Sequence, residues 1–277
     1  TLQSELASVV KNYKISATHL NTFLDVSRGG PSAFLVHNLL RFPQAMSPNA
    51  AYGSAVHRTL QRAHAHLSSS GKRRPVEDLL SDFDASLRSM HMSTKDFDFY
   101  LKRGSDYLQL FFDKQYDSFT TSQQPELSFS NQQSRIGDAH LTGSLDVVSV
   151  NPEDKTIGVV DYKTGKPSLS WKGKTDFEKI KLHKYRQQLM FYKLLVENSR
   201  DYSTYTVNSS SLSFVEPTTS DKHVSLAVEF DDDELLEFSR LVQAVYKRIV
   251  ALDFPDVSSF SQDFKGMQAF EMSLIEE

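Results

Sequence analysis

The sequence predicts an α/β fold in which a small mixed central sheet is flanked by helices and preceded by an N-terminal helical portion. Apolar residues follow a helical period up to about residue 120. Two runs rich in β-branched side chains come next, at 141–150 and 156–162. A helix, two strands and a final helix follow these runs. This order favours a mixed sheet over a doubly wound parallel one.

Helix signals are dense in the N-terminal portion, residues 1–120. The most informative helix covers about 50–68, where the spacing of three and four residues places one set of side chains on a single face. That face holds Gly53, His57, Leu60, His64 and Leu67. Other helix starts are marked by residues typical of N-caps and first turns, namely Ser16, Pro75 and the segment 93–96.

A β-hairpin opens the second portion, residues 121–277. Its two strands are joined by Asn151-Pro152-Glu153-Asp154-Lys155, a sequence typical of turns. A Gly-, Ser- and Lys-rich loop follows over 164–175. The remaining elements are expected to be a helix, two strands and a helix, at 179–198, 204–215, 223–230 and 232–252. We expect the two portions to form one composite domain.

The composition excludes several kinds of site. The chain has no cysteine, which rules out disulfides, Cys-ligated zinc, an iron–sulfur cluster and a cysteine nucleophile. It contains no G-x-x-x-x-G-K-(S/T) phosphate loop, no G-x-S-x-G elbow and no H-E-x-x-H motif. ATP binding by a phosphate loop, serine hydrolase chemistry and zinc protease chemistry are therefore not expected.

The ends and the hydropathy of the chain bear on its location. No run approaches the roughly 18 apolar residues that span a bilayer, so no membrane association is expected. The first residues lack the basic-then-apolar form of a signal peptide. Together with the absence of cysteine, this favours a cytoplasmic location. The chain begins with Thr1 rather than Met, so we expect it to be a piece of a longer protein.

The hairpin carries the residues most suited to chemistry. Asp146 and Asp161 lie on its two strands, each expected near the end of its strand, where both can reach one site. Two close carboxylates repel each other unless a cation lies between them, and oxygen ligands suit Mg²⁺ or Mn²⁺. Lys163 points to the same strand face as Asp161 and can stabilise growing negative charge. The alternative is a solvated strand end with a surface ion pair worth about 0–1 kcal/mol.

Several motifs in order resemble the PD-(D/E)XK nuclease superfamily, and more narrowly its RecB-like branch. The resemblance runs from Ser16 to about Phe270. It rests on an opening segment at 16–34 and on motifs at 53–57 (G-x-x-x-H), 125–129 (E-x-x-F), 143–148 (G-x-x-D-x-V), 161–166 (D-Y-K-T-G-K) and 188–192 (Q-L-x-x-Y). Gly30 stands where iron–sulfur members carry a cysteine, so this chain cannot hold that cluster. The resemblance implies a PD-(D/E)XK restriction-endonuclease-like core.

The resemblance also implies residue roles. The implied ligands of Mg²⁺ or Mn²⁺ are His57, Asp146, Asp161 and the backbone carbonyl of Tyr162. The implied catalytic set is Asp146, Asp161, Lys163, Gln188 and Tyr192, with Lys163 acting on the attacking water. Glu126 is as compatible with a solvated strand edge as with the site. His64 shares the face of His57 but is expected to be structural, and Trp171 fits a base-stacking residue and a loop anchor equally.

The function that this resemblance implies is metal-dependent hydrolysis of DNA, as the nuclease domain of a helicase–nuclease acting in repair or recombination. Helicase domains, in the same chain or in a partner subunit, are the expected protein partners. The alternatives are a non-cleaving DNA-binding module and a helicase-docking module with the same fold. Replacing Asp146 or Lys163 by alanine is expected to abolish cleavage and to leave the fold largely intact.

The charge distribution agrees with a DNA substrate better than the total charge does. The net charge of −4 argues against a generally basic surface, but residues 155–193 carry ten Lys or Arg against three acids. That stretch has a net charge of +7 and the remainder −11. A basic run is usually a solvated face, but this one leads from the hairpin into the Gln188 helix. The predicted DNA-binding residues are Lys166, Lys172, Lys174, Lys184 and Arg186.

Overall fold

The computed structural model describes residues 2–276, with helices flanking one main sheet. The helices are α1 (Leu2–Val10), α2 (Ala17–Leu24), α3 (Gly30–Phe34), α4 (Pro48–Ser70), α5 (Val76–Arg88), α6 (Thr94–Gln115), α7 (Asp176–Glu197), α8 (Asp232–Val250) and α9 (Phe264–Glu276). The strands are β1 (Gln123–Ser128), β2 (Arg135–Ile136), β3 (Ala139–His140), β4 (Ser144–Asn151), β5 (Thr156–Lys163), β6 (Thr206–Phe214) and β7 (Val224–Val228). Among these residues, no helix combines the length and the apolar character of a membrane span.

The main sheet has the strand order β1-β4-β5-β6-β7 and is mixed. Only β5 and β6 pair in parallel, and α7 provides the connection between them. The predicted hairpin is β4 with β5, which pair antiparallel from Val147–Val160 to Asn151–Thr156. The α/β class with a small mixed sheet and flanking helices is confirmed.

Helix starts agree closely with the N-cap signals in the sequence. Ser16 and Ser93 accept hydrogen bonds from the third residue of their helices, as N-caps do. The helix predicted to begin at 179 begins three residues earlier, because Thr175 and Glu178 form a capping box. The long helix predicted over 50–68 is α4, which begins after Ser47 and ends at Gly71 in a left-handed conformation.

Two hydrophobic clusters lie on the two faces of the sheet. On β5, the side chains of Ile157 and Val159 join the cluster that contains the apolar face of α7. The side chains of Val160 and Tyr162 face the cluster built from α4, α5 and α6. Because side chains alternate along a strand, Asp161 and Lys163 share the α7 face with Ile157 and Val159. The fold therefore brings α7 to Asp161 and α4 to Tyr162.

Candidate active site

The hairpin brings Asp146 and Asp161 side by side at one end of the sheet. Asp146 is the third residue of β4, not near its end as expected from the sequence, whereas Asp161 is near the end of β5. The antiparallel pairing places the start of β4 beside the end of β5, so the two carboxylates still meet. The backbone N–H of Tyr162 donates to Oδ2 of Asp146 at 2.8 Å, which holds this carboxylate against β5.

Helix α7 holds the Asp161 carboxylate from the other side. Gln188 Nε2 donates to Oδ1 of Asp161 at 3.0 Å and to the Tyr192 hydroxyl at 2.6 Å. The Tyr192 hydroxyl donates to the same Oδ1 at 3.3 Å. Gln188 and Tyr192 both reach Asp161 because residues four apart lie on one face of a helix.

Lys163 completes this network from the strand. Its Nζ lies 2.6 Å from Oδ2 of Asp161 and donates to Oε1 of Gln188 at 2.7 Å. It also lies 4.4 Å from the ring centroid of Tyr185, one turn before Gln188 on α7. The side chains of Lys163 and Asp161 are 14% and 3% exposed, so this is a buried ion pair rather than a solvated strand end.

Helix α4 supplies His57, as the G-x-x-x-H spacing predicts. Nδ1 of His57 lies 3.3 Å from Oδ2 of Asp146. One turn earlier, a Cβ added at Gly53 would stand 3.2 Å from Oγ1 of Thr164, so glycine lets α4 approach the chain just after β5. His64 has the structural position expected of it: it is buried, and its Nε2 shares a 2.8 Å hydrogen bond with the Tyr162 hydroxyl.

Glu126 lies near the carboxylates of Asp146 and Asp161, at a point where the strand pairing is interrupted. In β1, Pro125 pairs with Val147 and Leu127 with Leu145, and Glu126 between them has no paired residue and a φ of 50°. The pairs on either side keep one register, so Glu126 lies directly across from Asp146, and its left-handed backbone interrupts the pairing without an extra residue. Burial and the charges of Asp146 and Asp161 raise the pKa of Glu126, so its carboxyl group lies within their field.

The charges at this site are strongly coupled. Burial and the like charge of Asp146 raise the pKa of Asp161, despite the opposing effect of Lys163. Burial disfavours the carboxylate of Asp146, but His57 and the Tyr162 N–H hold its pKa below the ordinary value. Asp146 in turn raises the pKa of His57 against the effect of burial. The site thus holds more negative charge than Lys163 alone balances.

This geometry agrees with the family comparison. The model of the PD-(D/E)XK nuclease superfamily matches residues 14–260. The chain belongs to this superfamily. Among solved structures, it is similar to a protein from Eubacterium rectale named "Putative exonuclease", with a TM-score of 0.52 and 14% identity, covering 87% of this chain and 83% of that chain. At this identity the likeness shows the fold alone. No curated protein matches the chain.

The donor set of this PD-(D/E)XK site suits a hard divalent cation. Glu126, Asp146 and Asp161 offer carboxylate oxygens and His57 an imidazole. Burial, and after it the charge of neighbouring carboxylates, raises the pKa of Glu126 and of Asp161, and a bound cation would offset that charge. As they stand, no three His, Asp or Glu side chains within the described residues converge closely enough to hold an ion. The Lys163 ammonium takes the position of a cation beside Asp161.

The five predicted DNA-binding cations fall into two groups. Lys184 donates to the buried Asp25 at 2.7 Å, and Arg186 donates to Glu234 at 2.5 and 2.6 Å. The other three, which form no ion pair with an acid in the part of the chain that the structure describes, are Lys166, Lys172 and Lys174. Part of the +7 excess is therefore neutralised by acids from distant parts of the sequence.

The structure adds residues that the motifs do not contain. Tyr185 lies under Lys163, and its spacing of three from Gln188 is the signal that places it on this face. Trp171 is anchored, since its Nε1 donates to the carbonyl of Ala227 at 2.7 Å and its ring packs on the core.

Proposed function

We propose that this chain is a Mg²⁺- or Mn²⁺-dependent deoxyribonuclease that hydrolyses phosphodiester bonds. The observation that carries the proposal is the buried network of Asp146, Asp161, Lys163 and Gln188 at the end of the β4–β5 hairpin. Membership of the PD-(D/E)XK superfamily supports a nuclease, a hydrolase of this bond. The preference for DNA, the choice of metal and exonuclease action are the finer parts of the proposal.

Each residue has a role that its contacts allow. Asp146 and Asp161, with His57 and the Tyr162 carbonyl, would hold the cation, and Glu126 would join them. A divalent cation bound there would place positive charge on the phosphate oxygens and lower the pKa of water.

Lys163 and α7 would then act on the substrate. The Lys163 ammonium, held by Gln188, is positioned to orient the attacking water and to stabilise the negative charge that grows on the phosphate. Gln188 and Tyr192 fix the orientation of the Asp161 carboxylate. Preorganised donors of this kind contribute to catalysis because they need little rearrangement in the transition state.

The direct test is cleavage of labelled single- and double-stranded DNA in Mg²⁺, in Mn²⁺ and in EDTA. We expect cleavage that requires metal and is lost in Asp146→Asn. Asp154→Asn is the matched control, since Asp154 is an exposed acid in the turn at the other end of the same hairpin. Cleavage by Asp146→Asn at the unmutated rate would refute the assigned roles.

Two other functions remain distinct outcomes of this test. DNA that is bound but uncut with every metal would favour a non-cleaving DNA-binding module. Activity that appears only when helicase domains are added would favour a docking module. We propose the helicase–nuclease context, the RecB-like assignment and a role in repair or recombination on the sequence resemblance alone. A cytoplasmic location and the composite domain of 1–120 and 121–277 are proposed from the other features of the sequence.

A further inference from the structure

A cavity of about 360 Å³ opens beside the proposed catalytic residues. One wall is the stretch just after β5, with Thr164 and Gly165, and another is the N-terminal half of α7, with Phe177, Lys181 and Tyr185. Its volume lies in the range of ligand-binding pockets, about 300–1,000 Å³. Because Thr164 directly follows Lys163, the cavity continues from the place where a scissile phosphate would lie.

Three cations line the cavity, and two of them, Arg28 and Lys184, pair with Asp25 in the same wall, which leaves Lys181 as the third. Lys181 forms no ion pair within residues 2–276, and its Nζ contacts only the Lys166 carbonyl, at 3.3 Å. It lies 5.6 Å from the ring centroid of Tyr185, on which Lys163 also lies at 4.4 Å. Burial lowers the pKa of Lys181, the charge of Glu178 opposes this shift, and the charge of Lys163 adds to it. Two ammonium groups gathered around one ring are suited to bind an anion.

An exposed aromatic ring stands at the outer end of the same helix face. Phe177 is 69% exposed, so its ring is open to contact with a ligand. It precedes Lys181 by four residues and Tyr185 by eight, so the three side chains form a stripe along α7. The stripe continues one turn later to Gln188, which contacts Asp161. It therefore leads outward from the catalytic carboxylate.

We propose that this cavity is a subsite for one unpaired nucleotide next to the scissile phosphate, with Lys181 binding its phosphate and Phe177 stacking on its base. Stacking on an exposed ring requires an unpaired base, and a positively charged groove with aromatic rings is typical of proteins that bind single-stranded nucleic acid. The subsite would make the enzyme prefer a single strand. This inference rests on the proposed function, since it takes DNA as the substrate.

Binding is measured in the Asp146→Asn background, which removes cleavage and one of the charges that repel DNA. The probes are fluorescent oligo(dT) of about twelve nucleotides, the same strand with abasic sites, and a closed DNA duplex without ends. The variants are Phe177→Ala and Lys181→Met. Lys179→Met is the matched control, because Lys179 lies on the same helix, is exposed and pairs with Asp176. Circular dichroism confirms that each variant is folded.

We expect Phe177→Ala to weaken oligo(dT) binding about 5- to 100-fold and to leave abasic binding unchanged. Lys181→Met should weaken both single strands and reduce the slope of log K against log salt by about 0.7. Lys179→Met should match its background, and no variant should alter duplex binding. The subsite would be overturned if Phe177→Ala and Lys181→Met lost as much affinity for the duplex as for oligo(dT). It would also be overturned if both variants bound oligo(dT) as tightly as Lys179→Met does. The absence of measurable oligo(dT) binding in the background itself would likewise overturn it.

Cleavage by the unmutated chain separates this inference from the proposed function. If the unmutated chain cuts DNA and the binding pattern fails, the subsite is wrong and the nuclease stands. If the pattern holds and no metal supports cleavage, the subsite stands and the nuclease proposal fails.

Discussion

Replacement of Lys163 by methionine should destabilise the metal-free protein strongly. Lys163 and Asp161 are 14% and 3% exposed and lie 2.6 Å apart, so the substitution leaves a buried carboxylate without its cation. Removing one partner of a buried ion pair costs about 3–5 kcal/mol, whereas a surface pair is worth about 0–1 kcal/mol. The sequence alone suggests that the fold tolerates loss of Lys163, but this burial predicts that it does not.

The double variant Asp161→Asn/Lys163→Met should recover most of the loss. Replacing both members of a buried pair by uncharged groups of similar volume is often close to neutral, because no charge is left unpaired. The double variant should therefore lie within about 2 kcal/mol of the unmutated chain, and the coupling between the two sites should exceed about 1 kcal/mol.

The assay is urea unfolding in EDTA, followed by far-ultraviolet circular dichroism. Burial already raises the pKa of Asp161, so without Lys163 the cost should fall as the pH is lowered and the carboxyl group takes up a proton. Mn²⁺ should restore part of the stability by binding the folded state.

Three results would each contradict this reasoning. A loss below about 1 kcal/mol in Lys163→Met would show that the pair behaves as a solvated one. If the loss of stability in the double variant equalled the sum of the losses in Asp161→Asn and Lys163→Met, the two sites would not be coupled. A deficit that grows at lower pH would show that an unpaired Asp161 carboxylate is not its cause.

Three further predictions concern the residues around the site. Glu126→Gln should stabilise the metal-free protein by on the order of 1 kcal/mol, with a gain that grows above pH 4.5, because burial, Asp146 and Asp161 raise the pKa of Glu126. Urea unfolding in EDTA at several pH values measures this gain, and an unfolding midpoint that is unchanged or lower would contradict it. Burial lowers the pKa of His64 to about 4, whereas the pKa in the unfolded chain is about 6.5. The contribution of His64 to stability is therefore fully present above pH 6.5, and about 2 kcal/mol of the free energy of unfolding should be lost between pH 7 and 5. In His64→Gln this loss of stability at low pH should disappear. A profile of unfolding free energy against pH identical to that of the unmutated chain would contradict the prediction. Gly104→Ala should lower the midpoint of thermal unfolding, because the added Cβ would stand 2.1 Å from Cζ of the buried Phe83. Overpacking costs about 1–3 kcal/mol, which outweighs the gain in helix propensity of at most about 1 kcal/mol, and a raised midpoint would contradict this reasoning.

Much of the architecture can be predicted from the sequence because its determinants are local. The hairpin follows from two β-branched runs around the turn at 151–155, and the start of α6 follows from Ser93. Boundaries are less certain where a cap competes with the apolar period. Helix α7 begins at Asp176 because Thr175 and Glu178 form a capping box, which the predicted start at 179 overlooked.

The candidate site could be assembled from the sequence for a related reason. Asp146, Asp161 and Lys163 lie on one hairpin, and Gln188 and Tyr192 lie one turn apart on one helix. Local periodicity therefore determines which of these side chains share a face. His57 was placed by its motif, and only the packing of α4 against the hairpin brings it within 3.3 Å of Asp146.

The charged residues show most clearly what the sequence determines and what only the tertiary structure determines. The sequence by itself indicated the candidate site residues and showed that positive charge is concentrated in 155–193. Tertiary structure alone decided that Asp25 neutralises Lys184 from 159 positions away, and that Lys181 forms no ion pair with any acid among residues 2–276. It also decided that the Lys163–Asp161 pair is buried. Composition and period describe neighbours along the chain, whereas burial and ion pairing depend on which distant segments pack together.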